Sequence, residues 1–567
     1  MKRFITYITT ILVGASALVG CNFDDMSKNP YGVYDTTAES FVQPILYNAE
    51  YTIAQANYYL ISEIMQNTVS TNYESTAQLA YNYVIAEVQA ARLWGIYTQF
   101  GNAQYMLEKS RNEENPAVTG VALVLRSLLA SIISDTYGNV PYFEAGKIAM
   151  QGDEFEYTTP YDDQKDIYAD IFRSLEEAND CFMKAEELLA NEELSDVNFN
   201  PICDYMYNGN VDQWRRFGNS LYLRLLMRAS LKAIEESNGE IDLGEEYGVL
   251  NVTSKINEIY NSYLGSGDYP VMRDIADSAR VGFSDMDSAL YTPFHTATSG
   301  NWKNQAACNT LVDLLLWRNG NTIIREDPRY YRIFTKAWGA PTQVSREDMK
   351  EWFDTHVSQA GNSTIGRFSN GISAAIKLNG KAGIGNLKDA KSYALMNYDE
   401  ILFLFAEAGA RGWIPTGQVG YKKLYLDGIL NNILQWEKGW ELHESYVTAT
   451  SPEVVEIINY WDSQFSYDDA LNCILTQKYV ATTWVGVESW ADYRRTGYPI
   501  LKTNGPAASN KGILPTRMRY PATEKFQNAR NYEEAVAGWL GGENNMQTDV
   551  WWANTVESKN LRKKGRQ

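Results

Sequence analysis

Histidine is the scarcest reactive residue in this sequence, with three copies at His295, His356 and His443, each isolated from the others. The chain has no His-Glu-x-x-His pair for zinc and no Gly-x-Ser-x-Gly turn that would present a nucleophilic serine. It also lacks a Gly-rich loop followed by Lys-Ser or Lys-Thr, the pattern that cradles phosphate. The sequence therefore contains no local motif that indicates a histidine-based metalloenzyme, a serine hydrolase or a nucleotide-binding enzyme.

Cysteine is also sparse, with five copies at Cys21, Cys181, Cys203, Cys308 and Cys473. The last four are far apart and contain no Cys-x-x-Cys pair, so they form neither a disulfide scaffold nor a zinc cluster. Two interpretations remain open for these four. They form one or two bridges, or they are buried as small apolar side chains.

Positively charged residues are outnumbered: the sequence has 50 Lys and Arg against 70 Asp and Glu, which gives a formal net charge of −20. An acidic chain is a poor candidate for binding nucleic acid or an anionic lipid surface. Carboxylates are so numerous that a pair spaced like a glycosidase dyad would arise by chance. Asp285-Met286-Asp287 could lie near calcium but lacks the rest of an EF-hand loop. We predict no metal, no cofactor and no catalytic residue.

The N-terminus has the features of a bacterial lipoprotein leader. Lys2 and Arg3 precede an apolar stretch over residues 5–19, which is too short to span a membrane and reads as a secretory signal. It ends in Leu18-Val19-Gly20-Cys21, a lipobox in which the Cys21 thiol accepts the lipid. The alternative is an ordinary signal peptide with a chance cysteine.

This leader divides the chain into a signal peptide at 1–20, a lipidated tether at 21–40 and one domain at 41–567. Asp24-Asp25 in the tether is similar to the surface-export signal of Bacteroidota lipoproteins, although an acidic flexible tether explains it equally well. No second stretch of about 18 apolar residues is evident, so we expect no transmembrane helix after the leader.

Apolar residues recur at three- and four-residue spacing in several segments, which predicts amphipathic helices. Long polar stretches rich in Gly and Asn separate them, and no sustained alternation of period two is seen apart from short pieces near 370–385. The expected fold is mostly α, with long loops that are functional. The helical segments are 119–135, 165–190, 214–230, 397–411 and 470–484, and the polar stretches are 236–305, 339–392 and 500–567.

An ordered set of motifs together resembles the SusD/RagB family of nutrient-binding outer-membrane lipoproteins, particularly its second SusD-like branch. Thr516 departs from that pattern, since a basic residue is expected in its place before Arg517. The motifs are the segment 135–145, the Arg-studded segment 214–228, Asp327-Pro328-Arg329, the segment 398–408 followed by Gly412, the segment 488–499 with Trp490 and Arg494-Arg495-Thr496-Gly497, the segment 514–521 with Glu524, Asn528 and Asn531-Tyr532, and Trp551-Trp552.

This resemblance implies a helical fold with tetratricopeptide-like helix pairs and a ligand surface built from loops. It implies a non-catalytic protein on the outer face of the outer membrane, held there by its lipid anchor. Such proteins cap a SusC-type TonB-dependent transporter and deliver oligosaccharides, or in some members peptides, into its barrel. The motif residues are expected to have structural roles. Arg224, Arg228, Arg494 and Arg495 should pair with carboxylates such as Glu407 and Asp492, and Trp490, Trp551 and Trp552 should pack.

The ligand-binding residues are predicted from composition, because the resemblance assigns none. The chain has 39 Tyr and 15 Trp, which suit either stacking on sugar rings or packing in a core. The loop 285–305 interleaves aromatic with amide side chains, a combination that favours sugar binding. For each candidate, packing within a loop is the alternative role. The candidates are Tyr291, His295, Asn301, Trp302 and Asn304 in that loop, with Tyr73 and Trp338 elsewhere.

Two rival classes remain. A surface-anchored glycosidase or protease would need a carboxylate pair or a metal in a cleft, and a glycosidase barrel would alternate strands with helices. A purely structural lipoprotein would not need an exposed loop of aromatics and amides.

Overall fold

The computed structural model describes residues 36–70, 72–76, 78–147, 158–191, 199–265, 267–282, 305–320, 322–330, 338–357, 392–438 and 448–566. The leader, Cys21, Asp24-Asp25, the segment 285–287 and the pieces near 370–385 lie outside these ranges.

The fold is mostly α, as predicted, and each of the five predicted helical segments contains a helix. The longer helices are α1 (Val42–Ala56), α4 (Tyr97–Asn112), α5 (Pro116–Tyr137), α6 (Gln164–Ala190), α7 (Val211–Ser237), α8 (Val252–Tyr263), α10 (Arg346–Val357), α11 (Tyr398–Ala410), α12 (Gly417–Lys438), α13 (Pro452–Gln464), α14 (Ala470–Ala481), α15 (Glu488–Thr496), α17 (Ala529–Gly538) and α18 (Val556–Lys564). The short ones are α2 (Ser62–Ile64), α3 (Glu87–Ala90), α9 (Asn309–Leu315) and α16 (Glu524–Gln527).

Strands are short and pair only in twos within the described ranges. The antiparallel pairs are β1 with β5, β2 with β3, β4 with β8, and β6 with β7. Their bounds are β1 (Thr68–Ser70), β2 (Glu240–Asp242), β3 (Val249–Asn251), β4 (Ala279–Gly282), β5 (Gln305–Ala307), β6 (Leu316–Asn319), β7 (Thr322–Glu326) and β8 (Ser392–Met396).

Helix α5 is the centre of the N-terminal half, where it packs against α4 and α6. Pro116 occupies its first turn, Asn115 caps it by accepting from the Val118 amide at 3.1 Å, and Gly138 ends it with a φ of +87°. By length and composition α5 could cross a membrane, so the expectation that no such stretch follows the leader was wrong. All of its most apolar window is buried, which makes it a core helix of this fold.

Buried ion pairs join the helices that bear the family-like motifs, as predicted for three of the four arginines. Arg224 on α7 binds Glu400 on α11 at 2.6 Å, and Arg495 on α15 binds Glu407 on α11. Arg228 pairs with both Asp135 and Glu488. These contacts fix α5, α7, α11 and α15 relative to one another through charge-assisted hydrogen bonds.

Arg494 was predicted to pair with a carboxylate, and that prediction was wrong. Its guanidinium donates to the carbonyl oxygens of Asp135 and Thr516 and lies 3.6 Å from the ring centroid of Trp490. Burial lowers the pKa of Arg494 to about 9. The tryptophan prediction holds better, since Trp490 and Trp552 are fully buried and Trp551 is partly buried.

The polar stretches are more structured than expected. Helix α8 and strands β2 to β4 lie within 236–305, α10 lies within 339–392, and α16 to α18 lie within 500–567. Cys181, Cys203, Cys308 and Cys473 are all free thiols, and only Cys308 is buried. The alternative of disulfide bridges between them is therefore excluded.

Candidate ligand-binding face

Strand β5 is the point at which the predicted ligand loop joins the described structure, because Gln305 directly follows Asn304 in the chain. β5 pairs antiparallel with β1, with Ser70 opposite Gln305 and Thr68 opposite Ala307. On its other side the amide of Ala340 donates to the carbonyl of Ala307 at 2.7 Å. Segments that are far apart in sequence thus meet at β5.

A second apolar cluster, separate from the main core, lies beneath this meeting point. It fixes β1, β5 and α10 in one layer, since residues from all three elements contribute to it. Its buried members are Val69, Tyr81, Ala306, Cys308, Ala340, Met349 and Phe353, and its partly buried members are Tyr73, Leu79, Val344 and Trp352.

Tyr73 lies three residues beyond β1, and its ring stacks on Phe353 with centroids 5.4 Å apart and planes 18° from parallel. Phe353 in turn meets Trp352 edge to face at 5.2 Å. Phe353 supports one face of the Tyr73 ring, and Tyr73 is only partly buried, so part of its side chain remains accessible. Sequence reasoning missed Trp352 and Phe353. Met349 and Phe353 are spaced four apart and both buried, a helical signal that could have revealed α10.

Trp338 lies two residues before the Ala340 contact. The Arg318 guanidinium lies 4.6 Å from its ring centroid, a cation–π contact that covers part of the indole. Trp338 remains partly exposed. Tyr73 and Trp338 therefore occupy the two segments that flank β5, while Tyr291, His295, Asn301, Trp302 and Asn304 lie outside the described residues. The ligand role of all seven stays a prediction.

The buried carboxylate of Glu63 anchors β5 through a hydrogen bond. The two oxygens of Glu63 accept from the Gln305 side-chain amide at 2.7 Å and from the Tyr81 backbone amide at 3.2 Å. Burial raises the pKa of Glu63 to about 7, against an ordinary value of 4.5. The first residue of β5, Gln305, is therefore hydrogen-bonded to a carboxyl group whose pKa lies near neutral pH.

The described residues include no cluster of three or more His, Cys, Asp or Glu that could hold a metal ion. Burial raises the pKa of the Cys308 thiol within the second apolar cluster to about 11, which disfavours its nucleophilic thiolate form.

The helical fold has counterparts among proteins of known structure. The fold is similar to a SusD homologue from Parabacteroides distasonis, with 22% identity, 91% of this chain and 97% of that chain covered, and a TM-score of 0.67. It is also similar to a chitin-binding SusD homologue from Flavobacterium johnsoniae, with 20% identity, 92% and 99% coverage, and a TM-score of 0.64.

At the level of sequence, residues 30–521 match the SusD-like_2 family model, described as starch-binding and associating with the outer membrane. The chain belongs to this family, as its motifs indicated. A comparison with curated protein sequences gives no match.

Proposed function

We propose that this protein is a non-catalytic lipoprotein, anchored through Cys21 and exposed at the cell surface, that binds an oligosaccharide and delivers it to a SusC-type TonB-dependent transporter. Family membership supports this role, as does the description of one structural relative as chitin-binding. The division into signal, tether and a single domain from residue 41 is part of the same proposal.

The observation on which the proposal depends is the Tyr73 ring, stacked on Phe353 where β1 and β5 meet. A sugar ring has apolar faces and a hydroxyl-bearing rim, so a preformed aromatic platform binds it with little loss of side-chain freedom. Capture requires no nucleophile. Glu63 and Asp399 have pKa values raised to about 7, but both are buried and held by structural partners.

The first test is calorimetry and affinity electrophoresis of the full chain against soluble glycans and peptides, with product analysis of the same samples. We expect saturable glycan binding without product. Tyr73→Ala should weaken that binding about tenfold, the equivalent of roughly 1.4 kcal/mol of stacking. Tyr205→Ala is the matched control, because Tyr205 is 43% exposed on a different segment and should bind as wild type.

Each contrary result has its own meaning. Cleavage of a glycan would make the protein a surface glycosidase. Saturable binding of peptides alone would change the ligand class. Equal binding by Tyr73→Ala and Tyr205→Ala would show that the β1–β5 face, the surface around Tyr73 and Trp338, is not the ligand site.

A further inference from the structure

An open cleft of about 510 Å³ lies between the start of α4, the loop 141–146 and the one-turn helix α16, and none of its lining residues belongs to the β1–β5 strand pair or the cluster beneath it. Its volume falls within the range of roughly 300–1,000 Å³ typical of small-molecule sites. Trp94 and Tyr97 line one wall, and Glu524, Gln527 and Asn528 line the other.

The aromatic wall is held rigidly. Trp94 and Tyr97 have ring centroids 4.9 Å apart, and Trp94 meets Tyr137 edge to face at 5.0 Å. The Tyr97 hydroxyl donates to the carbonyl of Pro141 at 2.7 Å, which fixes its ring against the loop. Both Trp94 and Tyr97 are only partly buried, so a preformed apolar surface faces the cleft.

The facing wall supplies polar groups of complementary kinds. Glu524 is 8% exposed, and one of its oxygens accepts from the Tyr161 hydroxyl at 2.9 Å. Asn528 is held by donating to the carbonyl of Thr159 at 2.8 Å. Gln527 is exposed, and its side-chain amide has no hydrogen-bond partner within the described parts of the chain. An amide both donates and accepts, as a sugar hydroxyl does.

The side chains that line the cleft indicate the charge and polarity of the ligand that fits it. None of the described residues that line it is a lysine or arginine, so an anionic ligand would meet a carboxylate without a compensating cation. A wholly apolar ligand would cover the polar groups of Glu524 and Gln527 without pairing them, which is unfavourable. A neutral pyranose offers an apolar face to Trp94 or Tyr97 and hydroxyls to the other wall.

We infer that this cleft is a second saccharide-binding site, which takes one or two units of a neutral oligosaccharide on elements separate from the β1–β5 face. The inference rests on the proposed function for its ligand class. Two sites on one chain would let a polymer bind in two places at once, which raises its apparent affinity beyond that of either site.

The test uses Gln527→Trp, which fills the cleft from an exposed position and so leaves the fold intact. Its matched control is Phe526→Trp, because Phe526 is the neighbouring residue, is 84% exposed and does not line the cleft. The full chain is titrated calorimetrically with maltoheptaose, chitohexaose and cellohexaose. Saturation-transfer NMR on the Tyr73→Ala/Trp338→Ala double variant then detects weak residual contact with each sugar.

We expect two sites per chain in the wild type and in Phe526→Trp, and one site in Gln527→Trp. The double variant should retain saturation transfer that is lost when Gln527→Trp is added. A single site that Gln527→Trp leaves unchanged, with no transfer in the double variant, would overturn the second site and leave the proposed function standing. No contact of any of the three sugars with the wild type would contradict both proposals.

Discussion

Arg495 and Glu407 form a two-pronged ion pair in which the guanidinium nitrogens Nη1 and Nη2 lie 2.6 and 2.7 Å from the carboxylate oxygens Oε1 and Oε2. Both side chains are almost completely buried, and Arg495 also binds Asp492 at 2.9 Å. The pair joins α15 to α11 by planar, bidentate hydrogen bonding that a lysine could not reproduce.

Replacement of Arg495 by Met should reduce the free energy of unfolding by about 3 kcal/mol, because the buried Glu407 would lose its bidentate partner and keep only Arg411, 2.8 Å away. Urea unfolding followed by circular dichroism measures the change. The control is Arg530→Met. Arg530 is 88% exposed and pairs with Glu534 at 3.0 Å, and an exposed pair on one helix contributes less than about 0.5 kcal/mol. Similar losses in the two variants would contradict a special role for the buried pair.

Arg494→Met should cost less than Arg495→Met, roughly 1–3 kcal/mol in the same assay, because it removes hydrogen bonds to carbonyl oxygens and leaves no carboxylate unpaired. Methionine also keeps apolar contact with Trp490, on which the arginine now stacks. A loss larger than that of Arg495→Met would show that the stack and the carbonyl contacts outweigh the ion pair.

We expect the stability of the folded protein to depend on pH through the buried Glu63. Its folded pKa of about 7 is above the ordinary 4.5, so the folded state binds more protons than the unfolded state between these values, and stability falls as pH rises through this window. Glu63→Gln abolishes this contribution. The unfolding free energy of the variant minus that of the wild type should therefore increase from pH 5 to pH 7.5, by at most about 1.4 kcal/mol per pH unit.

The measurement for Glu63→Gln is the difference in unfolding free energy between variant and wild type across pH. Glu74→Gln, at an exposed position, provides the control for the substitution itself. A constant difference for Glu63→Gln would mean that its carboxylate ionises normally in the fold.

Gly138→Ala should be among the most destabilising single-methyl additions in the protein. A Cβ at Gly138 would lie 1.8 Å from Trp539, and its φ of +87° disfavours any other residue. We expect a loss of about 3 kcal/mol or more, measured by thermal unfolding. Gly248→Ala also places a methyl on a backbone with positive φ, +65°, but has no described atom within 4 Å of it. It should cost about 1–2 kcal/mol, and equal losses would exclude the steric explanation.

The helical body could be predicted from the sequence because its signals are local. In α6, Ile171, Leu175, Ala178 and Phe182 follow three- and four-residue spacing, and all are buried. The arginine motif on α7 indicated buried pairing, since arginine in an apolar helix needs carboxylates nearby. The partners Glu400 and Glu488 could not be assigned, because they are supplied by other helices distant in sequence.

The candidate face was much harder to predict. Tyr73 and Trp338 were selected by composition, but their shared relation to β5 depends on a pairing of Ser70 with Gln305 that no local pattern records. Helix α10 was not predicted because charged residues are frequent in it and, among its described side chains, only Met349 and Phe353 are buried. The exception at Arg494 has a related cause, since backbone carbonyls are acceptors that a sequence does not display.

The small cluster under β1 and β5 is separate from the main hydrophobic core. Substitutions at the face it supports therefore perturb few contacts of the helical body, and the body can keep its ion pairs while the face changes. Natural selection can then explore new ligands with little risk to folding. Similar folds that share only about 20% sequence identity are the evolutionary outcome to be expected from such an arrangement.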